Sequence, residues 1–303
     1  ELVSTKGRAG KSIKNYKTLN NALIPDTINM AVLINGASAS ASEIVAGVLQ
    51  DYDRAIVLGS QSFGKGLVQT VIGINQETAL KITNSKYYIP SGRSLQKREF
   101  IDDELIANSS VVADTLFQTK AGRTVIGGGG IGPDVIVKDE GSYPLAASIL
   151  RSRGYFKFVQ ENNNQYSSID EVLADEELMV KFKTFIEKND ISGYVDGQED
   201  LKLAKEKLSK KEEKNLFINN AFSVIEKQIE KTQSTMFEDE KEIIQRMVHG
   251  EFAFYYNGYE GRYNIYLKDD TVVQKAIEIF ADESQYLSIL SNTESTEVAS
   301  LNN

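Results

Sequence analysis

Two short apolar runs, residues 30–34 and 55–58, limit the fold more than anything else in this 303-residue chain. Each is too short for a helix, and neither alternates as a strand with one wet face would. Such runs are strands buried on both faces. Asn35 and Gly36 end the first, and Gly59 ends the second. Between them, residues 40–50 place Ile44, Val45, Val48 and Leu49 on one side of a helix. Strand, helix and strand within about 30 residues make a βαβ unit, with parallel strands and a right-handed crossover.

The rest of the chain divides into two expected parts. Residues 1–28 read as irregular and polar, with Gly7, Gly10 and Pro25 as breakers. Residues 67–74 and 79–89, rich in Val, Ile, Thr and Tyr, read as strands. Residues 90–92 form a turn, and 123–126 and 135–137 are short strands around a glycine run. This first domain is placed at residues 1–142. From residue 143 to 303 the pattern is helical, giving an α/β domain followed by a mainly α-helical extension. Ser168 and Glu171 fit a capping box. The helix after it turns Val172, Leu178, Phe182 and Phe185 toward a core. Leu201, Ala204 and Leu208, then Ile218, Phe222, Ile225 and Ile229, keep helical spacing within a Lys/Glu-rich, solvated stretch. The aromatic stretch 250–267 reads as a packing cluster, and 292–303 as a polar, frayed end.

Charge follows the same division. Lys and Arg outnumber Asp and Glu by 12 to 7 in residues 1–100, whereas 22 face 36 in residues 101–303. An acidic total argues against broad nucleic-acid binding. The chain has no Cys and one His, His249. This excludes a disulfide framework, a thiolate zinc site and a Cys nucleophile. A hydrolase built on this sequence needs a base other than histidine unless His249 is well placed; its helical setting favours a packing role. Neither a cofactor nor a metal is expected. Asn108 begins a formal glycosylation sequon. The chain opens at Glu1 without a signal peptide and reads as part of a longer precursor.

The βαβ unit is where chemistry is expected. Its two strand ends share one edge of the sheet, where open α/β sheets bind ligands. Residues 36–43 (Gly-Ala-Ser-Ala-Ser-Ala-Ser-Glu) and 59–66 (Gly-Ser-Gln-Ser-Phe-Gly-Lys-Gly) leave that edge. Ser40 and Lys65 each follow their strand by about six residues, so they can meet. A Ser hydroxyl needs a base, and a neutral Lys can be one. Ala41 would open the helix and aim an N–H at developing negative charge. The competing reading makes Ser40 the cap of a box with Glu43, and Ser38 and Ser42 compete for the nucleophile's place. Lys65 alone also fits a surface lysine in a glycine turn. Gly59-x-x-x-x-Gly64-Lys65 approaches a phosphate-binding loop, but Gly66 removes the magnesium-binding hydroxyl and a strand follows. Residues 127–132 contain G-x-G-x-x-G but lead into Pro133 rather than a helix.

Taken together, these segments resemble the carboxy-terminal processing peptidases, or tail-specific proteases. The likeness runs through Ala31-Val-Leu-Ile-Asn35, Ser38-Ala-Ser-Ala-Ser-Glu43, Arg54-Ala-Ile-Val-Leu-Gly59, Ser62-Phe-Gly-Lys-Gly66, Lys81-Ile-Thr83, Tyr87-Tyr-Ile-Pro-Ser-Gly-Arg93 and Gly130-Ile-Gly-Pro-Asp134. It covers roughly the first 140 residues. The resemblance implies a partial crotonase-like β/α core and a serine endopeptidase that cleaves proteins near their C-termini through an acyl-enzyme. It implies Ser40 as nucleophile, Lys65 as base, Gln69 as the residue that orients Lys65, and the Ala41 amide as one oxyanion donor. It implies protein C-terminal tails as substrates, a periplasmic or cell-envelope setting and possible self-association. The family's upstream glycine-rich segment, with the second oxyanion donor, and its PDZ domain are not in this sequence. The missing N-terminal part is therefore an expected partner, without which the fragment is expected to lack activity. The alternative function is a catalytically silent scaffold with the same fold.

Overall fold

A computed structural model describes residues 1–7, 12–97, 99–101, 104–106, 115–138, 141–209 and 216–291. Asn108 and residues 292–303 lie outside them. The chain forms two compact units, residues 1–140 with 271–303, and residues 141–270.

In the first unit, β3 (Ala31–Ile34), α1 (Ala41–Asp51) and β4 (Ile56–Gly59) form the expected βαβ unit. β1 (Val3–Lys6) and β2 (Ser12–Tyr16) precede it. β5 (Leu67–Gly73), β6 (Ala79–Tyr88), β7 (Glu99–Ile101), β8 (Glu104–Ile106), β9 (Leu116–Gln118), β10 (Thr124–Ile126) and β11 (Val135–Ile136) follow. Three strands make a parallel sheet in the order β11-β4-β3. Four make an antiparallel sheet in the order β2-β1-β6-β5. The pairs β9–β10 and β7–β8 are separate hairpins.

The central strand β4 is fully enclosed, and its alternation divides two cores. Val57 faces α1 with Ile34, Ala46, Val48, Ile89, Leu95 and Ile131. Ile56 and Leu58 face the other way, against Ala276, Ile279 and Tyr286. Those last residues belong to α9 (Thr271–Ala281) and α10 (Glu283–Ser291), which close the far face of the sheet. β3 lies at the sheet's edge, and its Leu33 is 41% exposed. The expectation of two-sided burial therefore holds for β4 and only partly for β3.

Two further expectations change. Residues 1–28 are not wholly irregular. β1 pairs with both β2 and β6, and Val3, Ser4 and Thr5 are buried. The division expected at residue 142/143 falls at 140/141, but residues 271–291 return to the first unit. The sequence of α9 is amphipathic like its predecessors. Only the apolar face of β3 and β4 decides where it packs. Tyr286 fixes this return: its hydroxyl accepts from Met30 N–H (3.0 Å) and donates to Met30 C=O (3.2 Å).

The second unit is helical: α2 (Pro144–Arg151), α3 (Gly154–Asn162), α4 (Ile169–Ala174), α5 (Leu178–Lys188), α6 (Gln198–Ser209), α7 (Leu216–Asp239) and α8 (Lys241–Lys268). Val172, Leu178, Phe182 and Phe185 enter its core as expected, but from two helices rather than one. Ser168 caps α4 by accepting from Glu171 N–H, while Glu171 reaches back to the amide of Ser167 instead of Ser168. In the α6–α7 stretch Phe222 is buried, whereas Leu208, Ile225 and their Lys/Glu neighbours are exposed, in keeping with a solvated face. α8 is two helices joined at Gly258 (φ 65°, ψ −152°), a conformation that glycine adopts without a side-chain clash. The chain folds back there: a Cβ on Gly250 would meet the Tyr266 ring at 2.1 Å. The aromatic stretch thus packs partly on itself, with Phe254 against Tyr259 and Phe252 in the core.

His249 sits in this fold-back, and burial lowers its pKa below 6.5. The unfolded chain therefore binds a proton there more readily than the folded one. Stability of the second unit should fall as pH drops through about 6.5 toward the lower folded value. Urea unfolding of wild type and His249→Gln at pH 7 and pH 5 checks this; the variant should lose less stability between them. In the first unit, Tyr286→Phe should cost about 1 kcal/mol. Hydrogen exchange at the β3 amides should speed up accordingly.

Candidate active site

β3 and β4 run in parallel with Ile34 opposite Gly59, so both chains leave the sheet at one edge. Ser60 N–H donates to Ile34 C=O there (3.1 Å). The first loop turns tightly. Ser38 Oγ accepts from Asn35 N–H (3.1 Å), and Ser38 N–H donates to Asn35 C=O (2.9 Å). Ser38 therefore has a structural task in the turn. Ser42 lies exposed within the first turn of α1.

Ser40 stands where this loop becomes helix α1, with φ 58° and ψ −111°. A residue with a Cβ adopts that conformation only under strain. The competing reading is met here as well, since Ser40 and Glu43 form the capping box at the start of α1. Ala41 is the first helical residue and is exposed. Its amide belongs to the helix's first turn, whose N–H groups lack intrahelical acceptors.

The buried carboxylate of Glu43 ties the two loops together. Its Oε2 accepts from the amides of Ser40 (2.7 Å) and Lys65 (2.9 Å). Its Oε1 accepts from Gly64 N–H (2.7 Å) and Ser62 Oγ (2.6 Å). The Ser62 hydroxyl in turn accepts from Ile131 N–H (2.7 Å). Phe63 N–H donates to Ser38 C=O (3.0 Å), a further tie between the loops. Gly130, at φ +86°, closes over this centre. A Cβ there would lie 2.5 Å from Ser62 Oγ and 3.0 Å from Glu43 Oε1. The glycine run thus serves close packing around a carboxylate.

On its other side the lysine loop is held by the segment after β6. Gln96 Oε1 accepts from Gly66 N–H (2.9 Å), and Lys97 N–H donates to Gly64 C=O (3.0 Å). The Lys65 side chain is exposed. Gln69 lies on β5, and its Nε2 donates to Thr83 Oγ1 across the hairpin (3.3 Å). The backbone of Ser40 and that of Lys65 are thus brought to one oxygen, with Ala41 beside Ser40. Gln69 is engaged elsewhere.

The opposite end of α1 carries a second polar network that sequence reasoning did not anticipate. Arg93 donates to Gln50 Oε1 (2.7 Å) and pairs with Asp51 (2.8 Å). Arg123 pairs with Asp53 (2.7 Å) and Asp134 (2.6 Å). Asp134 also accepts from Val57 N–H (2.7 Å) and Gln50 Nε2 (2.9 Å). This explains why residues 87–93 and 130–134 form recognisable motifs while holding no reacting group: they fix both ends of α1. Among the described residues no group of three His, Cys, Asp or Glu side chains is arranged to hold a metal ion.

Parts of the chain are similar to known proteins. Residues 1–106 match peptidase family S41. Residues 145–280 match the C-terminal helical domain of a probable PDZ-protease. The carboxy-terminal-processing protease of Bartonella bacilliformis is 51% identical over 96 residues, 32% of this chain and 22% of that protein. The carboxyl-terminal-processing protease of a Picosynechococcus species is 38% identical over 110 residues, 36% of this chain and 26% of that one. A solved photosystem II D1 C-terminal processing protease aligns at a TM-score of 0.34 and 26% identity, over 46% of this chain and 28% of that one. The chain spans about a quarter of the length of such relatives.

Glu43→Gln should expose the dependence of both loops on one carboxylate. An amide cannot accept at its nitrogen, so two of the four donors lose their acceptor. Buried donors left unmatched cost about 1–3 kcal/mol each. Denaturant unfolding should show a loss within that range or above it, and Glu43→Asp should not restore the bonds, because its carboxylate is one methylene shorter.

Proposed function

We propose, from the match of residues 1–106 to peptidase family S41 and the likeness to carboxy-terminal processing proteases, that the chain carries the nucleophile and base of a Ser/Lys endopeptidase. The observation that supports this most is the Glu43 Oε2 oxygen, which accepts from the amides of both Ser40 and Lys65. In the proposed reaction Ser40 Oγ attacks the scissile carbonyl carbon while Lys65 Nζ takes its proton. The oxyanion accepts from the Ala41 amide. Collapse breaks the C–N bond, Lys65 returns the proton to the leaving amine, and an ester remains on Ser40. Water then attacks the ester with Lys65 again as base, and the free acid leaves.

A lysine base acts as the neutral amine, a form that exclusion of water favours. Lys65 is exposed in the uncovered chain, so the bound peptide supplies that exclusion. Gln69 would orient Lys65 only after leaving Thr83, which makes it a positioning residue in this reading. The wider setting follows the family: a crotonase-like core completed by a preceding segment with the second oxyanion donor, a PDZ domain for the substrate's C-terminal tail, self-association, and a periplasmic or cell-envelope location. The competing proposal is a silent scaffold with the same fold.

The test is Ser40→Ala and Lys65→Ala in the full-length protein, read by mass spectrometry on a protein with an unstructured C-terminal tail. Each substitution should lower kcat by about 10⁴-fold or more. A serine-directed phosphonate should label wild type at Ser40 and leave Ser40→Ala unlabelled. Unimpaired cleavage by either variant would refute the dyad. A wild type that neither cleaves nor takes the label would favour the scaffold.

A further inference from the structure

β5 is the outer strand of its sheet and begins two residues after Lys65. Its ladder defines which backbone groups face outward. Tyr87 N–H donates to Gly66 C=O (2.8 Å) at one end of the hairpin, and Ile74 N–H donates to Thr78 C=O (2.9 Å) at the other. Antiparallel pairs alternate between bonded and non-bonded. Even-numbered residues 66–74 therefore bond toward β6. The register shift between Val68 and Gln69 does not disturb this, because it skips from Ser85 to Thr83 and leaves the extra residue, Asn84, on β6. The N–H and C=O groups of Leu67, Gln69, Val71 and Gly73 thus point to the outer edge, along which no other strand pairs among the described residues.

That edge lacks the usual protection. Exposed edges are ordinarily blunted by charge, proline or a bulge in the outer strand. β5 (Leu-Val-Gln-Thr-Val-Ile-Gly) has neither charge nor proline, and the bulge lies in its neighbour. One face of the hairpin is apolar as well. Ile72 is paired with Leu80 and Thr70 with Ile82, and Ile72, Leu80 and Ile82 are each about half exposed. An edge of this kind is a template for an added strand.

We propose that the open edge of β5 binds the peptide substrate as an added strand, with the cleavage point at the Lys65 end. The assignment rests on the Ser/Lys reading above, since continuity with Lys65 is what selects a substrate over other occupants. The backbone groups of residues 67, 69, 71 and 73 supply affinity independent of sequence. The face bearing Ile72 and Ile82 favours apolar side chains at alternate positions of the peptide. The occupant is therefore an extended, unstructured segment with alternating apolar residues. A peptide lying there also covers Lys65, which links binding to the exclusion of water that a lysine base requires.

Two measurements on the full-length protein test this. The first uses Ser40→Ala and a peptide of about 12 residues alternating Val and Ser, so that no cleavage is needed. Hydrogen exchange at the β5 amides of residues 67, 69, 71 and 73 should slow by about tenfold or more on saturation, as for newly bonded amides. Unchanged exchange along β5 with bound peptide would overturn the proposal, as would no binding at all. The second is Val71→Pro in the otherwise wild-type protein, which deletes an outward N–H that edge strands can spare. KM should rise about 3–10-fold, as for one lost hydrogen bond, with kcat within about twofold. An unchanged KM in a folded variant would refute the assignment. So would dissociation of an oligomer with KM intact, which would give the edge to a second copy. A variant that fails to fold leaves the exchange experiment decisive. If the peptide protects β5 while Ser40 proves dispensable for cleavage, the Ser/Lys reading falls and the strand-binding edge stands.

Discussion

A single buried carboxylate holds together the sheet edge that carries Ser40 and Lys65. Glu43 has four donors on two oxygens: three loop amides and the Ser62 hydroxyl. A loop that turns sharply at glycines cannot satisfy its own N–H groups, and burying them without acceptors is costly. The glycines bring residues 62–66 close to α1, and Glu43 makes that closeness tolerable. The strained backbone of Ser40 depends on the same contact. Its amide is fixed from the helix side by Glu43, so the turn cannot relax without breaking a short bond at 2.7 Å.

Helix α1 works as a rod pinned at both ends. Its apolar middle packs on β4 through Ala46 and Val48, while Gln50, Asp51 and Asp53 at its C-terminal end meet two arginines. Asp51 and Arg93 are essentially inaccessible to solvent. A buried pair contributes little over an apolar pair of the same shape, but loss of one partner costs several kcal/mol. The network therefore does more for position than for stability. It aligns the helix along its axis, and with it the N-terminal turn that carries Ser40 and Ala41.

Sequence reading recovered the parts of the site that follow from local pattern. Two apolar runs and a helix between them imply parallel strands with a shared edge, and that alone brings Ser40 and Lys65 near each other. Glu43 was legible only as the third residue of a helix, where a capping box is the ordinary explanation. That box forms, with the Glu43 carboxylate accepting from the Ser40 amide. Its larger role depends on a loop 19 to 22 residues away, and no local pattern carries that information. Gln69 shows the same limit differently. Parity along a strand places it on a face, but Thr83 across the hairpin decides where its side chain goes. The return of α9 and α10 to the first unit was missed because amphipathic helices look alike whichever surface they cover.

That surface has a consequence for how the first unit forms. Ile56 and Leu58 lie on the strand at the centre of the parallel sheet, yet their apolar cover comes from Ala276, Ile279 and Tyr286. The bond between Tyr286 and Met30 spans 256 residues. Contacts so distant in sequence require closing a large loop before they return any stabilisation. The helical second unit lies wholly within that loop, so folding it first shortens the effective span. A compact helical insert that folds first would thus lower the entropic cost of completing the sheet whose edge carries Ser40 and Lys65.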